Sequence, residues 1–403
     1  MADGIQGSLG EYKDGIQVLK TGRLHEEYRE EIDYLDTDKN LLDRLLKGMG
    51  KETVGRMEHK WLTQERKKDF VAFTSIDGAW GAGPANAGTF TVDTADVFLF
   101  AEGDIFKLID FSDTRAFYVT AVDLGTGVVT AQTVDLQTAD LSTFAGTQNL
   151  FLIGNSFESG TGKGTIKTEQ PTEVSNFVQI VQTPMGITTT AKNLNYRGQN
   201  EWDKIRYERG IDHMFSKEKL FFFGEKKYDQ TGRMDGTYEQ WFMGGLTEFI
   251  STHVVDVAGA LTQAEFKNWL IDCTQYSDMS TIFTGEIIYE ALTQWAETKL
   301  ELVRSEQTLG MAVANYQTPY GKNVALMPHR ELLKEDLAGV AFCVDLKDLK
   351  YITVSGLDDH LEVDIEQPDL KQKIDEWRTW LSMRVLQEKR HGYMKGVTSI
   401  SNS

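Results

Sequence analysis

The sequence feature that most limits the fold is a stretch with strong helical character near the middle of the chain, over about residues 195–227. It contains no proline and only two interior glycines, Gly198 and Gly210, and it is predicted to stop at Gly224 or soon after. A continuous helix of that length would be roughly 48 Å long, whereas an ordinary helix has about 11–12 residues. Its apolar residues recur at roughly helical spacing, so one side should be buried. The sequence therefore predicts a long, half-buried helix spanning a flat subunit, which favours assembly over a binding pocket.

Composition excludes several classes of protein. The 403-residue chain has 40 % hydrophobic and 26 % charged residues, as expected for a soluble protein of two or three domains. The chain start carries no apolar signal segment, and the longest apolar run, at 220–223, is too short to span a bilayer. Cys273 and Cys343 form no disulfide or metal pattern and are predicted to be reduced and buried. We therefore expect a protein made inside a cell, without membrane contact.

The net charge of −19 makes tight DNA binding an unfavourable role, because such binding depends on neutralising phosphates. Two interpretations of the charge stay open. It can keep the protein soluble through self-repulsion. Alternatively, it can provide a surface that lies beside nucleic acid without gripping it.

Residues 1–69 are polar and are predicted to form an N-terminal arm. Its one convincing helix is expected at about 37–49, where four leucines recur at helical spacing: Leu41, Leu42, Leu45 and Leu46. The flanking residues have too little apolar surface to form their own core. We therefore expect the arm to be ordered mainly by lying on a neighbouring copy.

Residues 70–101 are predicted to form an extended loop, followed by an inserted β-domain at 102–165. The loop tip, AWGAGPANAGTF, combines small residues with Trp80 and Phe90, and the alternation in TVDTADVFLF predicts a strand after it. The tip is either a mobile surface loop or a β-loop that reaches a neighbouring subunit with Trp80 as anchor. Short strands separated by turns predict a small barrel or sandwich in the inserted domain. The sequence GTGKGT at 160–165 lacks the glycine and hydroxyl residue of a phosphate-binding loop and is interpreted as a flexible linker.

The rest of the chain is predicted as a peripheral domain with the long helix (166–244), an axial α/β domain (245–355) and a C-terminal return to the peripheral domain (356–403). A strand is expected at 174–190. A capping box of Thr262 and Glu265 should begin one helix, and a second is expected at 285–303. The alternation through Trp380, Ser382, Arg384 and Leu386 is weak evidence for a late strand.

No pattern predicts an active site. None of the seven histidines has metal-ligand spacing, and no nucleophile elbow is present. The cluster of Asp358, Asp359 and His360 is either a divalent-metal loop or, as favoured here, a solvated acidic turn. We therefore predict that the protein is not an enzyme and needs no cofactor or metal, although pairs of carboxylates for a carbohydrate hydrolase stay open.

Four segments, in this order, resemble major capsid proteins of tailed bacteriophages, which share the Hong Kong 97-like fold. They are LLDRLLKGMGKE with HKWLTQE (41–65), the strands of GDIFKLID to LFLIG (103–154), NFVQIVQTPMGITTTAK with ERGIDHMFSKEKLFFFGEKK (176–227), and MAVANYQTPYGKNVALMPHREL (311–332). The likeness is to a branch with a small β-domain inserted at the extended loop. It implies an α+β fold with an N-terminal arm, an extended β-loop, an inserted small β-barrel, a long spine helix and an axial α/β domain.

The resemblance also implies the partners. Copies of the chain would form the pentamers and hexamers of an icosahedral shell around double-stranded DNA, which is touched only weakly and without specificity. Portal, scaffolding and decoration proteins are further candidate partners, and assembly would take place in the host bacterial cytoplasm. Candidate subunit-interface residues are Leu41, Leu45, Trp61, Trp80 and Phe90. The rival hypotheses are another virion protein, such as a tail-tube or decoration protein, and a carbohydrate-active hydrolase.

Overall fold

The computed structural model of the chain describes most of its residues. The described ranges are 10–13, 16–19, 41–65, 68–76, 79–80, 87–108, 116–136, 139–140, 149–160, 164–167, 170–193, 200–230, 238–277, 280–299, 314–318, 321–369 and 371–401. The chain divides into two compact units, one formed by residues 62–173 and the other by residues 1–61 and 174–403.

The elements are numbered in chain order. The strands are β1 (Gly10–Lys13), β2 (Ile16–Leu19), β3 (Lys51–Val54), β4 (Glu58–Thr63), β5 (Phe70–Ile76), β6 (Ala79–Trp80), β7 (Gly88–Val92), β8 (Asp104–Leu108), β9 (Phe117–Asp123), β10 (Val128–Thr133), β11 (Ala139–Asp140), β12 (Asn149–Asn155), β13 (Thr172–Phe177), β14 (Gln179–Thr188), β15 (Lys227–Asp229), β16 (Gln240–Phe242), β17 (Val254–Leu261), β18 (Thr281–Thr284), β19 (Ala314–Gln317), β20 (Asn323–Pro328), β21 (Ala341–Val344), β22 (Leu349–Val354), β23 (His360–Glu362), β24 (Gln372–Val385) and β25 (Gly392–Ile400). The α-helices are α1 (Leu41–Met49), α2 (Thr189–Lys192), α3 (Glu201–Phe223), α4 (Leu246–Phe249), α5 (Gln263–Thr274) and α6 (Glu286–Lys299). Short 3-10 helices lie at Val97–Leu99, Arg330–Leu333, Glu335–Leu337, Leu346–Asp348 and Glu388–Arg390.

The smaller unit contains a closed barrel of six strands in the order β10-β7-β5-β12-β8-β9. Alternate side chains point inward, because successive residues of a strand face opposite sides of the sheet. The barrel core contains Val71, Phe73, Phe90, Val92, Phe106, Leu108, Phe117, Val119, Val129, Ala131 and Leu150. The predicted small β-barrel is therefore present.

The barrel begins earlier in the chain than the sequence predicted. Strands β5 and β7 fall inside the range 70–101 that was predicted as an extended loop, and both are hydrogen-bonded members of the closed barrel. The strand predicted in TVDTADVFLF was mostly wrong, because β7 ends at Val92 and a 3-10 helix follows at Val97–Leu99. Val97 and Leu99 are nevertheless buried in the barrel core, which explains why the apolar pattern resembled a strand.

In the larger unit, one sheet has the order β14-β24-β22-β3, with β23 also paired to β24. Strands β14 and β24 run antiparallel over a long register, from Gln179 opposite Leu381 to Thr188 opposite Gln372. The late strand predicted through Trp380 is confirmed as part of β24. A second sheet of six strands has the mixed order β17-β25-β21-β18-β20-β19, and α5 and α6 contribute to its core.

The predicted long helix is α3, which is shorter than expected. It has 23 residues, which corresponds to about 34 Å at roughly 1.5 Å per residue. Asn200 caps its start by accepting a hydrogen bond from the Trp202 backbone N–H, and the helix ends before Gly224, as predicted. A side chain at Gly224 would clash, because its Cβ would lie 2.5 Å from the Met243 carbonyl oxygen. Residues 195–199 of the predicted helix lie outside the described residues, whereas 224–227 are not helical.

The other predicted helices are also present. Helix α5 begins with the predicted capping box, in which Thr262 accepts from the Glu265 N–H and Glu265 accepts from the Thr262 N–H. Helix α6 begins as predicted and is described as far as Lys299. No helix in the described part of the chain is long and apolar enough to cross a membrane.

Candidate functional site: the arm helix and its buried ion pairs

Helix α1 of the predicted arm packs inside its own chain. Leu42 and Leu46 are fully buried in a core that also contains Phe221 of α3 and Tyr351 of β22. This differs from the expectation that the arm is ordered mainly by a neighbouring copy. Part of the apolar face of α1 is therefore buried within the same subunit, whereas Met49 at its end is 42 % exposed.

Three of the five predicted interface residues belong to the larger unit and two to the smaller unit. Leu41 and Leu45 are partly buried on α1, at the edge of the core around Leu42. Trp61 is 7 % exposed and lies between His59, with ring centroids 5.6 Å apart, and Phe249, at 5.7 Å.

Phe90 is buried in the barrel, whereas only the backbone of Trp80 is described. Phe90 is 1 % exposed in the barrel core, with its ring 4.9 Å from that of Phe106. This ring has almost no surface left for a neighbour in the single chain, and its interface role stays a prediction. Trp80 lies in β6, which pairs with β11, and its side chain is outside the part of the structure that is described.

An unpredicted group of buried charges joins α1, α3 and the turn before β23. Lys217 of α3 is fully buried, and its Nζ lies 2.5 Å from Asp359 Oδ1 and 3.6 Å from Asp43 Oδ2. Lys47 of α1 also pairs with both carboxylates, at 3.0 Å from Asp43 Oδ2. Two lysines and two carboxylates therefore neutralise one another where α1 meets the long helix.

The pKa shifts in this group follow from burial and charge. Burial acts to raise the pKa of Asp359, but the neighbouring Lys217 and Lys47 hold it well below its ordinary value. Burial lowers the pKa of Lys217, and the carboxylates of Asp43 and Asp359 oppose that shift. Each charge is therefore stable at this site only while its partners are present.

A second polar link lies next to Lys217. The Glu218 side chain is fully buried and accepts a hydrogen bond of 2.7 Å from the Leu42 backbone N–H. The same oxygen, Oε1, lies 2.9 Å from Nε2 of the buried His329. Because the first backbone N–H groups of a helix have no partner within the helix, Glu218 serves as a cap for α1 that comes from a distant part of the chain.

The cluster of Asp358, Asp359 and His360 matches neither sequence-based interpretation. Asp358 accepts a hydrogen bond of 2.5 Å from the Tyr351 hydroxyl and also pairs with Lys51. Asp359 pairs with the lysines of α1 and α3. Within the described residues, no three His, Cys, Asp or Glu side chains are grouped so that they could hold a metal ion. The turn is ion-paired, and its lysine partners are too far away in sequence for spacing to reveal them.

In the second half of the GTGKGT segment, the structure shows why residue 164 is a glycine. The Phe157 ring lies over Gly164, where an added Cβ would be only 2.5 Å from the ring. Lys167 follows and donates a hydrogen bond of 2.7 Å to the Leu99 carbonyl oxygen. Lys167 is thus held on the barrel, whereas 161–163 lie outside the described residues.

Comparison with known proteins places the chain in a family. The sequence profile of the SU10 major capsid protein family matches residues 12–398. No curated protein matches the chain.

Several solved capsid and shell structures are similar at low identity. The capsid of a native GTA particle has 8 % identity and a TM-score of 0.46, over 93 % of this chain and 96 % of that chain. The cyanophage A-1(L) capsid has 11 % identity and a TM-score of 0.40, over 60 % and 85 %. The SrpI encapsulin of Synechococcus elongatus has 11 % identity and a TM-score of 0.42, over 59 % and 80 %.

The family match covers nearly the whole chain and confirms the predicted resemblance to phage capsid proteins. It also confirms that this is a structural protein and not an enzyme, because the family is one of capsid proteins. The chain belongs to the SU10 major capsid protein family and is a phage major capsid protein.

Proposed function

We propose that copies of this chain assemble into the pentamers and hexamers of an icosahedral shell that encloses double-stranded DNA. The match to a major capsid protein family over residues 12–398 carries this proposal. The net charge of −19 supports packaged DNA that is touched weakly and without specificity, because an acidic surface cannot neutralise phosphates. Assembly in the host bacterial cytoplasm agrees with two buried, unpaired cysteines, since thiols stay reduced there.

Negative-stain electron microscopy of the purified chain tests self-assembly. We expect closed particles that contain both five-fold and six-fold groups of subunits. A chain that stays monomeric over the concentrations used for capsid assembly, or that forms tubes, would contradict the proposal. Tubes would instead favour a tail-tube protein.

We further propose that the segment around Trp80 contacts a neighbouring subunit. Residues 79–80 form a short strand that pairs with β11, in a two-stranded sheet separate from the barrel strands. Trp80→Ala keeps this backbone pairing and removes only the indole. We expect a folded subunit with a lower particle yield, measured by sedimentation, whereas normal particles would count against an anchoring role.

The division into arm, peripheral and axial domains is likewise a proposal for the assembled shell. Portal, scaffolding and decoration proteins are proposed as further partners. Mixing each with preformed particles, followed by sedimentation, would detect binding.

A further inference from the structure

A cluster of apolar side chains lies on the outer surface of the barrel and does not pack in the barrel core. Phe70 of β5 and Phe151 of β12 are directly paired across the two strands, and their rings stack with centroids 4.9 Å apart. Phe70 is 54 % exposed, although phenylalanine side chains are usually buried. Ile153 is 51 % exposed and lies at a bulge of β12, where the register with β8 shifts. We call Phe70, Ala72, Phe151 and Ile153 the barrel patch.

The barrel core does not explain these side chains. In β5, Val71 and Phe73 point inward and are buried, so Phe70 and Ala72 lie on the outer face. Leu150 is the inward neighbour in β12. Ile153 comes two residues after Phe151, so the alternation of the strand places it on the same outer face. The patch is thus an outward apolar surface that spans two adjacent strands.

A closed barrel restricts how such a surface can be covered. Because all six barrel strands are paired on both sides, this barrel has no free edge to which a partner could add a strand. Contact must therefore be made by side chains on the outer face. Two stacked phenylalanines provide a large and rigid contact area, since each ring can bury about 150–250 Å².

Based on this surface, we propose that the barrel patch binds a second copy of this chain in the assembled shell. This inference rests on the proposed self-assembly, which places other copies at high local concentration. Charge favours the same partner. Lys107 of β8 is paired with Phe151 on the side away from Phe70, so a positive charge borders the patch. A second copy, with 61 acidic and 42 basic residues, offers more acidic than basic side chains to that lysine.

Thiol labelling of two matched variants tests this contact. Ala72→Cys places a thiol in the patch, and Ala121→Cys places one at an exposed alanine of β9, three strands away around the barrel. A hydrophilic maleimide is applied to the full-length chain as free subunits and as assembled particles. The unaltered chain, whose two cysteines are buried, provides the background.

We expect assembly to slow labelling of Ala72→Cys about tenfold or more, because the centre of an interface excludes water, and to leave Ala121→Cys nearly unchanged. Equal labelling of Ala72→Cys in both states would overturn the proposal. Slowing of both variants would also overturn it, because the shell would then cover the whole barrel without selecting the patch. Absence of particles on the microscope grid would instead refute the proposed function, and this is seen before any labelling.

A second pair of variants separates assembly from folding. Phe70→Ser removes an exposed ring from the patch, and Tyr118→Ser removes a half-buried ring from the outer face of β9. Both chains should keep the circular dichroism of the unaltered protein. We expect Phe70→Ser to lower particle yield far more than Tyr118→Ser, and equal yields from the two folded variants would contradict the patch as a contact.

Discussion

Lys217 and Glu218 are consecutive residues of α3, and both side chains are fully buried with opposite formal charges. Removing such groups from water is costly, and the cost is offset only by close partners and good geometry. Lys217 has Asp359 and Asp43, and Glu218 has the Leu42 N–H and His329. These contacts hold one particular arrangement of α1 against the long helix, because a shifted helix would leave charges buried without partners.

Replacing Lys217 should therefore destabilise the subunit strongly. We expect Lys217→Met to lower the free energy of unfolding by about 3 kcal/mol, since Asp43 and Asp359 would then share only one cation, that of Lys47. Lys219→Met is the control, because this side chain is half exposed and lies 3.7 Å from its partner Glu331. Urea denaturation followed by circular dichroism measures both. Similar losses for the two variants would contradict the role given to Lys217.

Two histidines predict how subunit stability depends on pH. Burial, with a smaller effect from Lys217, lowers the pKa of His213 to about 4, and burial with Arg384 lowers that of His59 to about 4. The unfolded chain takes up protons at these positions near the ordinary value of 6.5, whereas the folded chain does so only near 4. Their contribution to stability is therefore complete above pH 6.5 and is lost as the pH falls toward 4.

The measurement is the urea midpoint between pH 7 and pH 4.5, which should fall with pH. His213→Gln should reduce this dependence, because glutamine can keep hydrogen bonds to Thr183 and Thr379 without taking up a proton. Asp359 does not interfere in this range, since a lowered carboxylate pKa causes loss of stability only near and below its ordinary value of 3.8. A midpoint that is constant down to pH 4.5 would contradict the prediction.

Helix α3 contains a glycine that the fold does not require. A Cβ added at Gly210 would lie 3.5 Å from Trp377 Nε1, which is an ordinary contact distance. Glycine in a helix interior is less favourable than alanine by roughly 0.5–1 kcal/mol. We therefore expect Gly210→Ala to stabilise the subunit by about that amount, measured by chemical denaturation.

Gly339 provides the opposite case for the same substitution. A Cβ there would lie 1.9 Å from the Val397 carbonyl oxygen, so the backbone would have to move. Gly339→Ala should destabilise the subunit, and equal effects at the two glycines would show that helix propensity and local space do not decide the outcome.

The whole chain has separate hydrophobic cores in its two compact units. Phe106 is fully buried in the barrel core, together with side chains of the same unit only. We expect Phe106→Ala to destabilise the barrel by about 3–5 kcal/mol through the cavity it leaves. Hydrogen exchange should then increase in β5, β7 and β8 and remain unchanged in α5 and β21. An equal increase in both groups would show that the units unfold together.

Local signals made several parts of this protein predictable from its sequence. The capping box at Thr262, the end of α3 before Gly224 and the alternating strands of the barrel depend on residues close together in the chain. The capsid resemblance was also readable, because it depends on the order of segments and the family match covers the same range. Short-range hydrogen bonding and side-chain periodicity are physical properties of a segment, so a segment alone can show them.

Contacts between distant residues required the folded chain. Part of the predicted loop forms β5 and β7, because these segments complete the closed barrel. Phe90 is buried in the barrel core for the same reason. The acidic turn at Asp359 became an ion-paired site because Lys217, far away in sequence, is buried beside it. Helix α1 is covered by its own subunit for the same reason. Burial and charge pairing depend on which segments meet in space, and spacing along the chain does not encode that.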